Sequence, residues 1–311
     1  MLSYRHHFHA GNTADVLKHI TLIFCLEYMT RKEKPILCVD THAGAGLYRI
    51  WQDGKEENRE WKNGIGKLLT FINSPDKVLI TPASVTRYLD LICGGGTYSG
   101  SPLLMGKLLR KQDRLVCFEL HPKDFEELQV IMATFTHMSQ GEAPAIEIRR
   151  EDGLSLKSLL PPFSRRGLIF IDPPWEEKDE YEKIPQAVAG CLKRFPQGTY
   201  IIWYPLLAEP KTPVHESETM GETLLKLYSG NRCCFELYGS AITDDANSPR
   251  GMYGSGLVIF NPPWVLRRAL EEILPFLAGI FRTKDRVLLD WDNKGWDLQW
   301  INLSEQLPES L

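Results

Sequence analysis

Several things are scarce in this chain, and each scarcity excludes a class of protein. Cysteine occurs seven times in 311 residues, at positions 25, 38, 93, 117, 191, 233 and 234. The number is odd and no pair forms C-x-x-C, which excludes a disulfide framework or zinc knuckle. It predicts reduced, mostly core thiols in a cytoplasmic protein. No apolar run approaches the roughly 20 residues needed to cross a bilayer, so no membrane partner is expected. The opening "MLSYRHHFHAGN" lacks the apolar stretch of a signal peptide. Surplus positive charge is also missing: 36 Lys and Arg stand against 40 Asp and Glu, for a net charge of −4. That excludes a protein that coats nucleic acid, though not one with a local basic patch. What remains is 43% hydrophobic and 24% charged, enough for one large domain or two small ones with a sizeable core.

Strand-like runs alternate with helical patterns. The runs are "PILCVD" (35–40), "RLVCFEL" (114–120), "AIEIRR" (145–150), "GLIFID" (167–172), "TYIIWYP" (199–205), "CCFELYGS" (233–240) and "GLVIFN" (256–261). Most are continuously apolar, as suits strands buried on both faces of a parallel sheet. Helical spacing appears in "DFEELQVIMATF" (124–135) and "PLLMGKLLRKQ" (102–112), where Ser101 is a natural N-cap and Pro102 fits the first turn. The alternation predicts a doubly wound α/β sheet of seven strands. Residues 50–96 break the rhythm with charge, tryptophan and glycine and no clear strand. They read as a helical insertion closed by a flexible Gly94-Gly95-Gly96, between sheet-domain segments 1–49 and 97–311. The tail after about 284 is expected to add at most a final strand.

"CVDTHAGAGLYR" places Asp40 at a strand end, with Gly44 and Gly46 after it. Such glycines let a ligand approach the backbone at the carboxyl edge of a sheet. The third glycine of the dinucleotide fingerprint is absent, since position 49 is Arg. The next acidic strand end, Glu119, lies beyond the insertion. That pattern suits a nucleoside cofactor without pyrophosphate, S-adenosylmethionine. Glu119 is suited to the ribose diol, and Asp152 with Gly153 to the region of the adenine.

Two stretches end alike: "GLIFIDPPW" (167–175) and "GLVIFNPPW" (256–264). An exocyclic adenine amine is a poor nucleophile because its lone pair is delocalised into the ring. Acceptors for its N–H groups favour a more pyramidal nitrogen. Asp172 with the Pro173 carbonyl supplies such acceptors, and Trp175 a face for an extruded base. No metal is needed, and no credible ligand set is present. Strand order favours Asp172: its strand should lie beside the glycine-bearing first strand, while Asn261 ends the last strand, far from the cofactor. Asn261 then reads as a strand-to-helix turn, with Pro262 and Pro263 starting the helix.

The first 19 residues carry Tyr4, Arg5, Lys18 and four histidines. His6 and His9 are three apart, but nothing completes a metal site around them. The stretch reads either as a polar lead-in to a helix capped near Thr13, or as a basic aromatic arm (1–12) over the site. In the second reading Tyr4 is available to stack on a base.

Together, "SYRHHFHAGNTADVLKH", "DTHAGAG", "GSPLL", "ELHP", "DG" and "SRRGLIFIDPPW" resemble the bacterial large-subunit ribosomal RNA methyltransferase J family. That family methylates N6 of an adenine in 23S rRNA. The resemblance spans nearly the whole chain and includes "WYP" (203–205) and "NPPW" (261–264). It implies a Rossmann-like methyltransferase with a small helical insertion. It also implies cofactor contacts from His19, His42, Ser101, Glu119, Asp152, Gly153 and Asp172, with Asp172 catalytic. Tyr4 is implied to contact RNA, with His6 and Lys18 nearby. The expected partner is 23S rRNA, protein-free or early in assembly, with no obligate protein partner. Trp175 departs from the family tyrosine, keeping a stacking face without a phenol. Basic pairs at Arg149-Arg150, Arg165-Arg166, Lys193-Arg194 and Arg267-Arg268 are candidate phosphate contacts. Two other readings stay open: a DNA-adenine or protein-glutamine methyltransferase, and a non-catalytic RNA-binding module on the same fold.

Overall fold

The computed structural model describes residues 6–50, 60–75, 79–94, 96–208, 216–239, 251–281 and 294–302. Its main sheet has strands β1 (Leu37–Asp40), β2 (Arg114–Phe118), β3 (Ala145–Arg149), β4 (Gly167–Ile171), β5 (Thr199–Ala208), β6 (Arg232–Tyr238), β7 (Gly251–Phe260) and β8 (Trp296–Ile301). Their spatial order is β8-β6-β7-β5-β4-β1-β2-β3. The five strands from β3 to β5 are parallel. β7 runs antiparallel between β5 and β6, and β8 antiparallel along the edge of β6. The sheet therefore has eight strands, one more than expected. The eighth comes from the tail, whose burial alternates as an edge strand's should.

The apolar runs explain the middle of the sheet. "LCVD" and "GLIFI" are buried throughout, which requires helices on both faces. The helices are α1 (Thr13–Thr30), α2 (Lys67–Ile72), α3 (Ala83–Ile92), α4 (Ser101–Leu108), α5 (Pro122–Met138), α6 (Glu180–Arg194), α7 (Glu216–Leu225) and α8 (Leu266–Phe281). α1 packs against α3, α4 and α8, while α6 packs against α7 and a 3-10 turn, Gly153–Leu159. Asn12 caps α1 by accepting from the Asp15 amide at 2.9 Å.

Register positions the site. Asp40 lies opposite Cys117 on β2 and Phe170 on β4. The residues that follow, Thr41, Glu119 and Asp172, therefore emerge together at one carboxyl edge.

Three local expectations change. Gly100, not Ser101, is the N-cap of α4, and the helix stops at Leu108. The stretch between β1 and α4 also contains strand: Leu47–Tyr48, Cys93–Gly94 and Thr97–Ser99 form a small antiparallel ribbon. Within it Gly94 is paired and Gly96 turns with φ +81°, while Gly95 lies outside the described residues. α8 begins at Leu266, two residues beyond the Pro-Pro-Trp.

Candidate active site

A cavity of about 360 Å³ opens at the carboxyl ends of β1, β2, β3 and β4. His6, His19, His42, Gly44, Ser101, Glu119, Asp152, Gly153, Asp172 and Pro173 all line it. These sequence candidates come from six separate stretches, and the sheet register brings them together.

The glycines let the chain pack tightly where it borders the cavity. Gly44 has φ +61°, and a Cβ there would lie 2.2 Å from the Tyr48 hydroxyl. A Cβ at Gly153 would lie 2.0 Å from the Thr41 carbonyl oxygen. Neither position tolerates a side chain. Glu119 closes the cradle: its two carboxylate oxygens accept the Gly44 and His121 amides, each at 2.7 Å. Burial raises its pKa, which those amides oppose. Each oxygen keeps a lone pair for a further donor. Asp152 accepts the Leu154 amide at 2.8 Å and caps the 3-10 turn.

Two of the histidines are neutral. Burial drives the His19 pKa down to about 3, and its Nδ1 lies 2.8 Å from the Tyr98 hydroxyl. Burial likewise takes His42 to about 4, with Nδ1 2.8 Å from the Thr41 hydroxyl. Asp40 is fully buried, and one of its oxygens lacks a hydrogen-bond partner. Burial raises its carboxyl to about 7, against a hydrogen bond from Ser101. The Ser101 hydroxyl thus serves the cradle rather than the helix end.

At the far end of the cavity a chain of charges surrounds Asp172. The Lys18 ammonium donates to Asp172 Oδ2 at 2.7 Å and lies 3.0 Å from Asp15 Oδ1. It also sits 4.6 Å from the Trp203 ring centre. Asp15 Oδ2 contacts His6 Nε2 at 3.0 Å and accepts the Gly11 amide at 2.8 Å. Burial pulls the Lys18 pKa down, but Asp172 and Asp15 override it and the lysine stays charged. Burial pushes both carboxyls up. In Asp15 the charges of His6 and Lys18 win and its pKa falls well below the usual range. In Asp172 burial wins over Lys18, and its pKa is raised.

Several placements were not legible in the sequence. Asp15 and Trp203 border Asp172 through Lys18, and Glu60 holds the arm: it contacts His9 at 2.9 Å and accepts from Asn12 at 3.0 Å. Three-residue helical spacing, Asp15 to Lys18, was the available signal for Asp15. Trp175 differs from expectation. Its side chain is 6% exposed, donates to the Trp203 carbonyl at 3.1 Å and packs 4.8 Å from the Tyr181 ring. It offers no open face for a base in this conformation and does not line the cavity. Tyr4 lies outside the described residues. Among the basic pairs, Arg149 bonds Glu147, Arg166 the Lys34 and Met29 carbonyls, and Arg194 the Leu160 carbonyl. Arg267 and Arg268 pair with Glu271 and Glu272. Structural partners thus occupy most of those candidates. Among the described residues there is no cluster able to hold a metal ion and no helix long and apolar enough to cross a membrane.

The second Pro-Pro-Trp is a turn. Asn261 accepts from the Tyr228 hydroxyl at 2.8 Å and donates to the carbonyls of Pro196 at 2.8 Å and Gly198 at 2.7 Å. Its φ of +51° is one that asparagine tolerates. The sequence reading puts β7 far from the cofactor in sheet order, but it adjoins β5. It is separated from the cavity because it runs backwards: Phe260 lies opposite Tyr200, near the start of β5.

The parallel half-sheet, the glycine cradle between β1 and β2, and an acidic strand end at β4 define a Rossmann-like methyltransferase. A family model described as "Ribosomal RNA large subunit methyltransferase D, RlmJ" matches residues 33–293. The chain is 37% identical to ribosomal RNA large subunit methyltransferase J of Haemophilus influenzae, covering 97% of this chain and 99% of that protein. It is 38% identical to the Escherichia coli methyltransferase of the same name, covering 89% and 93%. A crystal structure of a Legionella pneumophila protein superposes with a TM-score of 0.75 at 30% identity, covering 94% and 98%. The chain belongs to the RlmJ family of ribosomal RNA large subunit methyltransferases.

Proposed function

We propose that this chain transfers a methyl group from S-adenosylmethionine to N6 of a single adenine in 23S rRNA. One observation carries the reading: Asp172 lines the cavity with one oxygen held by Lys18 and, among the described residues, no hydrogen bond to the other. An acceptor so held suits an exocyclic amine.

The residues fit the cofactor. The cradle at Gly44 and Gly153 admits no side chain, Glu119 has lone pairs for a ribose diol, and Asp40 has a buried oxygen without a partner. The cavity wall carries Glu119, Asp124, Glu151, Asp152, Asp172, Glu177, Asp179 and Glu180 against Lys183, a field that favours a cation. S-adenosylmethionine supplies an activated methyl on a sulfonium. Asp172 and the Pro173 carbonyl accept the amine hydrogens and aim its lone pair. Lys18 keeps Asp172 ionised until the amine arrives. With an activated donor, positioning and electrostatics supply most of the rate. Once N6 is alkylated, Asp172 or water takes the released proton.

Residues 1–49 and 97–311 form the methyltransferase domain in this reading, and 50–96 its helical insertion. In this reading the arm contacts the RNA, with Tyr4 available to stack on a base. Exposed Arg150, Arg165 and Lys193 remain for phosphates. The substrate is protein-free or early-assembly rRNA in the cytoplasm. Labelled methyl transfer to unmodified, protein-free 23S rRNA, to duplex DNA and to a glutamine-containing protein tests this. Label recovered as N6-methyladenosine from the RNA supports the reading. Label in DNA or protein alone overturns the substrate, and failure to bind S-adenosylmethionine overturns the enzyme.

A further inference from the structure

We propose that Asp15 is a positioning residue for methyl transfer, seating the His6 turn and steering Lys18 onto Asp172. This deepens the reading above and rests on it.

The geometry leaves Asp15 no other evident task. It lies in the first turn of α1, where its amide is already capped by Asn12. A carboxylate there helps the helix, but solvent-exposed geometry would serve as well. Asp15 is instead fully buried. One oxygen gathers the His6 ring at 3.0 Å and the Gly11 amide at 2.8 Å. Those two groups flank the bend by which the chain enters α1, and Gly11 takes φ +81° to make it. The other oxygen is 3.0 Å from the Lys18 ammonium, one helical turn along. That contact is a buried ion pair, and the same ammonium donates a 2.7 Å hydrogen bond to Asp172. The Asp15–Lys18 pair is faced by His6 and His19 as bases, by Asp172 and Glu60 as acids, and by the phenols of Tyr48 and Tyr98. His19 is engaged with Tyr98.

The consequence is a single linkage, His6–Asp15–Lys18–Asp172. A turn that carries a cavity-lining histidine is tied to the acceptor that receives the amine. Displacing the turn loosens Lys18, and a loose Lys18 leaves Asp172 mispositioned. Displacements of this kind cost up to about a hundredfold in rate.

The test uses the full chain, protein-free 23S rRNA and S-adenosylmethionine. Asp15→Asn keeps the shape and the acceptor for Gly11 but removes the charge. The expected result is a kcat lower by roughly ten- to a hundredfold, with KM for RNA and Kd for S-adenosylmethionine within about twofold. His6→Gln should lose kcat similarly, and the double variant should lose little more than either single variant, because both cut one linkage. Asn261→Ala, a destabilising change outside the cavity, should lower Tm without that kcat loss. Wild-type kcat in Asp15→Asn, or losses that multiply in the double variant, would overturn the proposal. If Asp15→Asn fails to fold, His6→Gln decides alone: reduced kcat with unchanged cofactor Kd supports the linkage, and unchanged kcat overturns it. A wild-type chain that makes no N6-methyladenosine overturns the functional reading itself, and this inference with it.

Discussion

The two Pro-Pro-Trp stretches share a tripeptide and a strand-end position, yet they do opposite things. Both contain a residue with positive φ, Trp175 at +55° in one and Asn261 at +51° in the other. Both follow a strand buried along its length toward that end. What separates them is strand direction and side-chain satisfaction. β4 runs with its parallel neighbours and delivers Asp172 to the cavity. β7 runs against them and delivers Asn261 to the opposite edge. There Asn261 binds Tyr228, Pro196 and Gly198, which leaves its amide nothing to offer a substrate. Among the described residues Asp172 has one side-chain hydrogen bond, from Lys18. The motif thus becomes chemical only where topology opens it to a cavity and the neighbours leave an atom over.

Substitution separates the copies most sharply. Asp172→Ala should lower the rate of methyl transfer by roughly 10²–10³-fold, with a calorimetric Tm near that of wild type. Lys18 then still has Asp15 as its counter-ion. Asn261→Ala should do the reverse. Losing three side-chain hydrogen bonds should cost about 2–4 kcal/mol, read as a lower denaturation midpoint, while the folded enzyme keeps its rate. Equal catalytic losses in both would erase the distinction.

The acid limb of the pH–rate profile sharpens the Asp172 half. Burial raises the Asp172 pKa, and Lys18 opposes that rise. Only the ionised carboxylate accepts from the amine, so kcat should fall as pH drops through this raised pKa. Lys18→Met removes the opposing charge and should move the limb to higher pH. A limb that stays put or moves down would mean that Lys18 does not hold Asp172 ionised.

The smallest effect belongs to Trp175→Tyr, which installs the residue that the sequence resemblance implies at this position. It removes the indole bond to the Trp203 carbonyl, worth about 1 kcal/mol. Thermal melts should show a slight decrease, and kcat should change little. A large loss of rate would mean that the buried indole reaches the substrate after all.

The sheet and much of the cavity were legible because continuous apolar runs and strand-end acids are local signals. "LCVD", "GLIFI", Gly44, Glu119 and Asp172 each announce themselves within a few residues. Three things were not local. The reversal of β7 is a fact of pairing, so Asn261 could be set aside from strand order but not for the right reason. The ribbon that joins Leu47–Tyr48 to Thr97–Ser99 crosses about fifty residues and leaves no period-two trace in strands this short. The ties of Asp15 to His6, of Lys18 to Asp172 and of Trp175 to Trp203 depend on which helix packs over which strand. Ser101 illustrates the same limit: its position looked like a cap, but the backbone placed Gly100 there and left the hydroxyl for Asp40.

The most direct test of the central claim is a single-turnover comparison of Asp172→Ala and Asn261→Ala on protein-free 23S rRNA. It is run at a temperature where both are folded and with S-adenosylmethionine saturating. The account predicts that Asp172→Ala loses nearly all transfer to N6 while still binding the cofactor, and that Asn261→Ala transfers at close to the wild-type rate. Transfer that survives in Asp172→Ala, or fails in folded Asn261→Ala, would contradict it.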